Sequence, residues 1–336
     1  MKYSILYSSI IAATVIGLAA CSSGGSDVAG IGGSGITSTG TITGFGSIYV
    51  NDIKFETSSS TFDVDDDPDS TEDALALGMR VTVKGTLNAD GVSGTATSVT
   101  YDEELKGPVS DITIDPMDPD NRTATVLGID VALNRTTTLF DTSKSGPGNF
   151  DIDSIDVGNT VEISGYFDSN GVLVATRIEL EDKTFNINDT TVELKGTIAN
   201  WDGGAQTFKL EGFSSILIDA SKGPELEDLS EIADGVVVEV EGTCPDPGTD
   251  PICTTIDATR IEGESEGFDS GGDAEIEGII TRYESVSDFD VNGLLVDASS
   301  AELEPASLVL DKDLFVEVEG TVVNNVLIAT KVELED

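Results

Sequence analysis

Gly78-Met79-Arg80-Val81-Thr82-Val83-Lys84-Gly85 is written in period two. Val81 and Val83 point one way, Arg80, Thr82 and Lys84 the other, and glycines close both ends. Such alternation predicts a β-strand with one buried face. The pattern returns as Gly158-Asn159-Thr160-Val161-Glu162-Ile163-Ser164-Gly165 and as Gly235-Val236-Val237-Val238-Glu239-Val240-Glu241-Gly242. A last copy reads Asp313-Leu314-Phe315-Val316-Glu317-Val318-Glu319-Gly320. The closing glycines fall at 85, 165, 242 and 320, in steps of 80, 77 and 78 residues. So regular a period marks a repeated unit.

Other landmarks keep the same order around this strand. An opening strand is expected from Gly40-Thr41-Ile42, Gly107-Pro108-Val109, Gly196-Thr197-Ile198 and Gly278-Ile279-Ile280. Turns between apolar residues fall at Asn51-Asp52, Leu127-Gly128, Glu211-Gly212 and Asn292-Gly293, pairs that suit two-residue hairpins. A closing strand holds Ala96-Thr97-Ser98-Val99, Ala175-Thr176-Arg177-Ile178, Ala258-Thr259-Arg260-Ile261 and Ala329-Thr330-Lys331-Val332. Asp90-Gly91, Asn170-Gly171 and Asn324-Asn325 mark the turn before it. Five or six short strands in one copy bury a core by curling into a small barrel. The copies differ most in an acidic middle connection, where Glu225-Leu226-Glu227-Asp228-Leu229 suggests a short helix. A small barrel with such an insertion looks like an OB-type fold. The expected architecture is all-β: four tandem OB-like barrels at residues 39–104, 105–182, 190–264 and 273–336.

The run Gly44-Phe45-Gly46-Ser47-Ile48-Tyr49-Val50-Asn51-Asp52-Ile53-Lys54-Phe55, followed by Leu77 to Gly85, resembles domain-of-unknown-function family 5666. The first copy matches best; the others keep the glycine and valine framework but lose the aromatic-rich opening. The resemblance covers about residues 39–336. It implies exported bacterial lipoproteins with domains often in tandem, and it implies no activity.

The N-terminal residues point the same way. A single charge at Lys2 precedes an apolar stretch from Ile5 to Ala20, the length of a signal-peptide core and short for a membrane span. It ends in Leu18-Ala19-Ala20-Cys21, which resembles a bacterial lipobox with Cys21 as the lipidated residue. Residues 1–20 read as the lipoprotein signal peptide and 21–38 as the lipidated cysteine with a flexible Gly/Ser-rich tether. Ser22, by resemblance to Gram-negative sorting, favours the outer membrane. Several acyl chains would make that attachment stable. In an oxidising compartment Cys244 and Cys253 most simply close a disulfide; free thiols or a metal clip are the alternatives.

The chain carries 63 acidic against 17 basic residues, a formal net charge of −46, and no histidine. Such a surface repels phosphate backbones, so nucleic acid is excluded as an expected partner. The same excess also keeps an exported β protein soluble. Without histidine, Ser-His-Asp and Cys-His triads and His-ligated zinc drop out. No carboxylate pair is marked out by spacing, and the chain reads as non-catalytic.

One acidic run, Asp63-Val64-Asp65-Asp66-Asp67-Pro68-Asp69, offers alternate hard oxygen ligands at Asp63, Asp65, Asp67 and Asp69. It reads either as a weak Ca2+ loop or as a solvated turn, because it lacks the glycine at the sixth position and the glutamate at the twelfth of an EF-hand. A second cluster, Asp115 to Asp120, carries the same two readings. Tyr49, Phe55, Tyr101, Trp201 and Tyr283 are candidates for stacking on sugars. The favoured picture is an elongated acidic rod of four barrels. It sits at the outer membrane on its lipid anchor and binds or scaffolds a protein or glycan partner. A calcium- or glycan-binding surface lipoprotein is the alternative.

Overall fold

The computed structural model describes residues 35–141, 150–245, 253–264, 267–268 and 270–335. The signal segment, Cys21 and nearly all of the tether lie outside the described residues. Among the described residues the strands come in four successive sets of six. The first is β1 (Gly35–Thr41), β2 (Ile48–Val50), β3 (Ile53–Glu56), β4 (Thr61–Val64), β5 (Arg80–Leu87) and β6 (Ser93–Tyr101). The second is β7 (Leu105–Ile114), β8 (Asn121–Val126), β9 (Ile129–Asn134), β10 (Leu139–Asp141), β11 (Thr160–Phe167) and β12 (Leu173–Asp182). The third is β13 (Thr191–Asp202), β14 (Thr207–Leu210), β15 (Leu217–Asp219), β16 (Glu225–Glu227), β17 (Val237–Thr243) and β18 (Thr255–Gly263). The last is β19 (Asp273–Ser285), β20 (Asp288–Val291), β21 (Leu294–Asp297), β22 (Glu302–Glu304), β23 (Phe315–Val323) and β24 (Val326–Leu334).

Three sets repeat one closed pairing scheme, clearest in the second; the first keeps it except that β1 pairs with β5 and β19 and not with β2. Strand β7 pairs antiparallel with β8 and with β11, β8 with β9, and β11 with β12. The ring closes because β12 lies parallel to β9. That is a closed, OB-like five-stranded barrel, with β10 added beside β12. The connection expected to hold a helix at Glu225–Leu229 instead supplies β16, parallel to β18. The edge of the closing strand offers unpaired backbone groups, and pairing with them outweighs helix propensity.

The closing glycines explain the period. At each one the ladder to the closing strand shifts register, between Lys84 and Gly85, Ser164 and Gly165, Glu241 and Gly242, and Glu319 and Gly320. A β-carbon on Gly85, Gly165, Gly242 or Gly320 would stand 2.2–2.5 Å from a carbonyl oxygen of the partner strand. The bulge brings two backbones too close for any side chain. The hairpins behave as their residues predict: Asn51 and Asp52, and Asn292 and Gly293, all adopt positive φ, as a two-residue type I′ turn requires.

The barrels do not stand in a rod. Strand β1 pairs in parallel with β19, Ile36 opposite Asp273 and Ser38 opposite Glu275, so the first and last sets share one sheet. The second and third sets share the other through β7 and β13, and with it one continuous hydrophobic core. The edges of β1 and β19, and of β7 and β13, are used between the barrels themselves.

Candidate functional site

The strands' outer faces, polar in sequence, meet where the barrels pack, and ionisable groups are buried there. Tyr101 donates to Glu162 Oε1 at 3.1 Å and lies 2.9 Å from Ser164 Oγ, joining the first two barrels. The Tyr166 hydroxyl reaches Thr41 Oγ1 at 2.6 Å and donates to Glu277, tying the second barrel to the first and last. Lys106 in β7 meets Glu193 in β13 at 2.5 Å. Arg80 pairs with Glu104 at 2.6 Å and lies over the Tyr166 ring. Arg260 pairs with Asp66, Glu227, Glu239, Glu241 and Glu262.

Lys195 is the hub of the third barrel's side. Its ammonium stands 3.0 Å from Glu239 and 3.7 Å from both Asp102 and Glu264. Burial alone would lower its pKa, but the Asp102, Glu264 and Glu239 carboxylates outweigh that and raise it. Burial lifts the acids: Asp102 is raised to about 6 and Glu239 to about 7, with Lys195 pulling each back down. Beside this network opens a cleft of about 430 Å3 between the first, third and last sets. Its walls include Thr39, Arg80, Asp102, Glu104, Lys195 and Asn292. With both charge signs paired across its walls, the cleft suits a polar ligand.

The acidic run does not close on itself. Asp65 and Asp66 take left-handed φ values of 52° and 58°, which turns the chain sharply after β4. Asp66 goes to Arg260, and the Asp67 side chain accepts from the Asp69 amide at 3.0 Å. Asp67 and Asp69 are exposed, while Asp63 is half-buried and raised by burial and by the Glu262 and Asp67 carboxylates. Asp65 turns toward the second barrel, where one oxygen each of Asp65, Glu103 and Glu162 lie within 4.8 Å of one another. Asp115 and Asp118 likewise cap their own turn, accepting from the amides of Met117 and Asp120. Alternate spacing in sequence is broken here by local turn hydrogen bonds.

The aromatic candidates share no face. Phe55 and Tyr101 are fully buried. Trp201 packs edge-on against Phe208 at 6.1 Å and Tyr283 is tilted against Phe289 at 6.0 Å, which leaves Tyr49 as the exposed one of the five. Cys244 and Cys253 are both buried and joined as a disulfide, with Cα atoms 5.5 Å apart.

A family model described as "Domain of unknown function (DUF5666)" matches residues 36–100, 106–179 and 277–333. The chain belongs to this family. The DUF5666 matches cover the first, second and last barrels. The third set lies outside them while keeping the same strand pairing and the same bulge at Gly242. No curated protein matches the chain. Among solved structures, drosophila Unr CSD456 is 18% identical, with 70% of this chain and 98% of that chain covered and a TM-score of 0.17.

Proposed function

We propose that this DUF5666 protein is a lipid-anchored, non-catalytic binding or scaffolding module of the outer membrane, attached through Cys21 and facing a protein or glycan partner. The observation that carries the reading is where its buried charges are used. Lys195, Lys106 and Arg260 each reach a carboxylate across a barrel boundary, so the ionisable groups hold one body together. The tether leads into β1, beside the last barrel. From Cys21 to Gly35 it can span at most about 45–50 Å when extended, which keeps the acidic body close to the surface that anchors it. Among the described residues no helix is long and apolar enough to cross a membrane, and the lipid supplies the attachment.

The test is metabolic labelling with tritiated palmitate, followed by separation of inner membrane, outer membrane and soluble fractions. The wild type takes up label and travels with the outer membrane; Cys21→Ser is unlabelled and soluble. A wild type that is soluble and unlabelled would end the anchor reading. Envelope cross-linking then identifies the partner. A second reading, calcium binding at the acidic turn, draws on the approach of Asp65 to Glu103 and Glu162. Asp65→Asn would abolish that binding in a calcium titration.

A further inference from the structure

The outer face of the first barrel carries different chemistry from the same face of the other three. Three positions before the closing glycine stand Glu162, Glu239 and Glu317, but in the first copy Thr82. Two residues to either side of Thr82 are Arg80 and Lys84. The other copies carry Thr160 and Ser164, Val237 and Glu241, and Phe315 and Glu319 in those places. A chain with 63 acidic and 17 basic residues thus presents, on this one strand, two cations around a hydroxyl. Glu162 and Glu239 are buried and meet the Tyr101 hydroxyl and the Lys195 ammonium. Thr82 instead lines the cleft between the first, third and last sets.

Thr82 is in register with Thr39 on β1 and Thr100 on β6, and both also line the cleft. Neighbouring strands lie about 4.8 Å apart, so the three hydroxyls form a row, with Thr39 Oγ1 3.1 Å from Thr82 Oγ1. Beside the row, Arg80 pairs with Glu104 at 2.6 Å. Lys195 stands 3.7 Å from both Asp102 and Glu264, beyond direct hydrogen-bond reach. A ligand hydroxyl placed between those groups can accept from the ammonium and donate to a carboxylate. Phe268, half-buried, adds an aromatic surface to the same cleft, of the kind on which the apolar face of a sugar ring packs.

We infer that this cleft is a saccharide site in which the Thr39, Thr82 and Thr100 row, with Arg80, Asp102 and Lys195, holds a neutral sugar of one or two rings. The inference rests on the reading of the chain as a binding module and takes the glycan as its partner. Charge selects the class. An anionic ligand meets Asp102, Glu104, Glu262 and Glu264 on the walls, and a cationic one meets Arg80, Lys84 and Lys195. A neutral polyol donates to the acids and accepts from the cations, so no buried charge loses its partner. A volume of about 430 Å3 lies within the span of about 300–1,000 Å3 usual for small-molecule sites.

The experiment is a ligand-observed NMR titration of the full chain, solubilised in a detergent without a sugar headgroup. The probes are maltose, cellobiose and diacetylchitobiose, with glucuronate as the anionic comparison. The expected result is saturable, roughly millimolar binding of at least one neutral disaccharide, with glucuronate weaker by about tenfold or more. Thr82→Val removes one hydroxyl and keeps a β-branched shape suited to the strand, so it should fold as the wild type does and weaken binding about two- to tenfold. Thr82→Glu introduces the residue type of the other copies and should abolish binding, with strand content by circular dichroism unchanged. Binding that survives Thr82→Glu, or that glucuronate matches, overturns the inference. Loss in Tyr49→Ala alone also overturns it, moving the sugar to the exposed aromatic of β2 while keeping a glycan-binding module. No binding of any probe at tens of millimolar overturns it too, and leaves attachment through Cys21 to the palmitate test.

Discussion

Ser38 Oγ donates to Glu275 Oε2 across 2.9 Å, joining residues 237 positions apart. Ser38 also accepts from Asn51 Nδ2 at 3.0 Å, so one hydroxyl connects the first hairpin turn to the last barrel. Ser38→Ala removes a donor from one buried group and an acceptor from another. Leaving such groups unpaired costs about 1–3 kcal/mol each. Urea unfolding should show a loss in that range with an unchanged m-value; no loss would mean the seam contributes little to stability.

Gly165 and Gly171 separate two reasons for glycine within one hairpin. A β-carbon at Gly165 would meet the Val174 carbonyl oxygen at 2.2 Å, whereas at Gly171 it meets nothing within 4 Å and only the φ of +78° opposes it. Gly171→Ala should cost about 1–2 kcal/mol, the price of a left-handed L-residue. Gly165→Ala should cost about 3 kcal/mol or more, because two paired backbones must separate. Equal melting temperatures for the two variants would refute the bulge as the origin of the repeat.

That contrast also shows what was legible in the sequence. The glycine period, the period-two valines and the Asn-Gly turns are local requirements of a bulged barrel, so they stand in the sequence and lead to the fold. The outer positions of the same strands were misleading. Glu162 and Glu239 alternate with valine as a solvated face would, yet they are buried where Tyr101 and Asp102 of the first barrel approach them. Nothing in the spacing of Ser38 and Glu275 announces that the ends of the chain meet. The run from Asp63 to Asp69 looked like a ligand set, but positive φ at Asp65 and Asp66 scatters its side chains, and a partner from another barrel claims Asp66.

The Lys195 network makes stability pH-dependent. Asp102 and Glu239 are raised by burial to about 6 and about 7, so the folded chain holds their protons more tightly than the unfolded chain does. Their contribution is therefore fully present below the unfolded values near 4 and is lost as pH rises through 6 and 7. The melting temperature should fall between pH 5 and pH 8. Glu239→Gln should flatten that slope, and Lys195→Met should steepen it by removing the cation that holds both acids down. A melting temperature that climbs across the same interval would contradict the assignment.

Tyr166 decides whether the barrels move as one. Its hydroxyl bridges Thr41 and Glu277, and its ring meets Phe315 edge-on at 5.1 Å. It therefore sits where the second barrel touches both the first and the last. A compact body of this length should give a radius of gyration of about 19–20 Å in solution scattering, while four barrels in file would give a much larger value. Tyr166→Phe removes the hydroxyl and keeps the ring; it should cost about 1–2 kcal/mol and leave the scattering unchanged. Tyr166→Ala also removes the ring contact, at about 3–5 kcal/mol. Because the second, third and last barrels each keep their own closed ladder, that loss should appear first as an expanded scattering profile with strand content preserved by circular dichroism. An elongated wild-type profile would mean that the contacts made by Tyr166 do not hold the barrels together in solution.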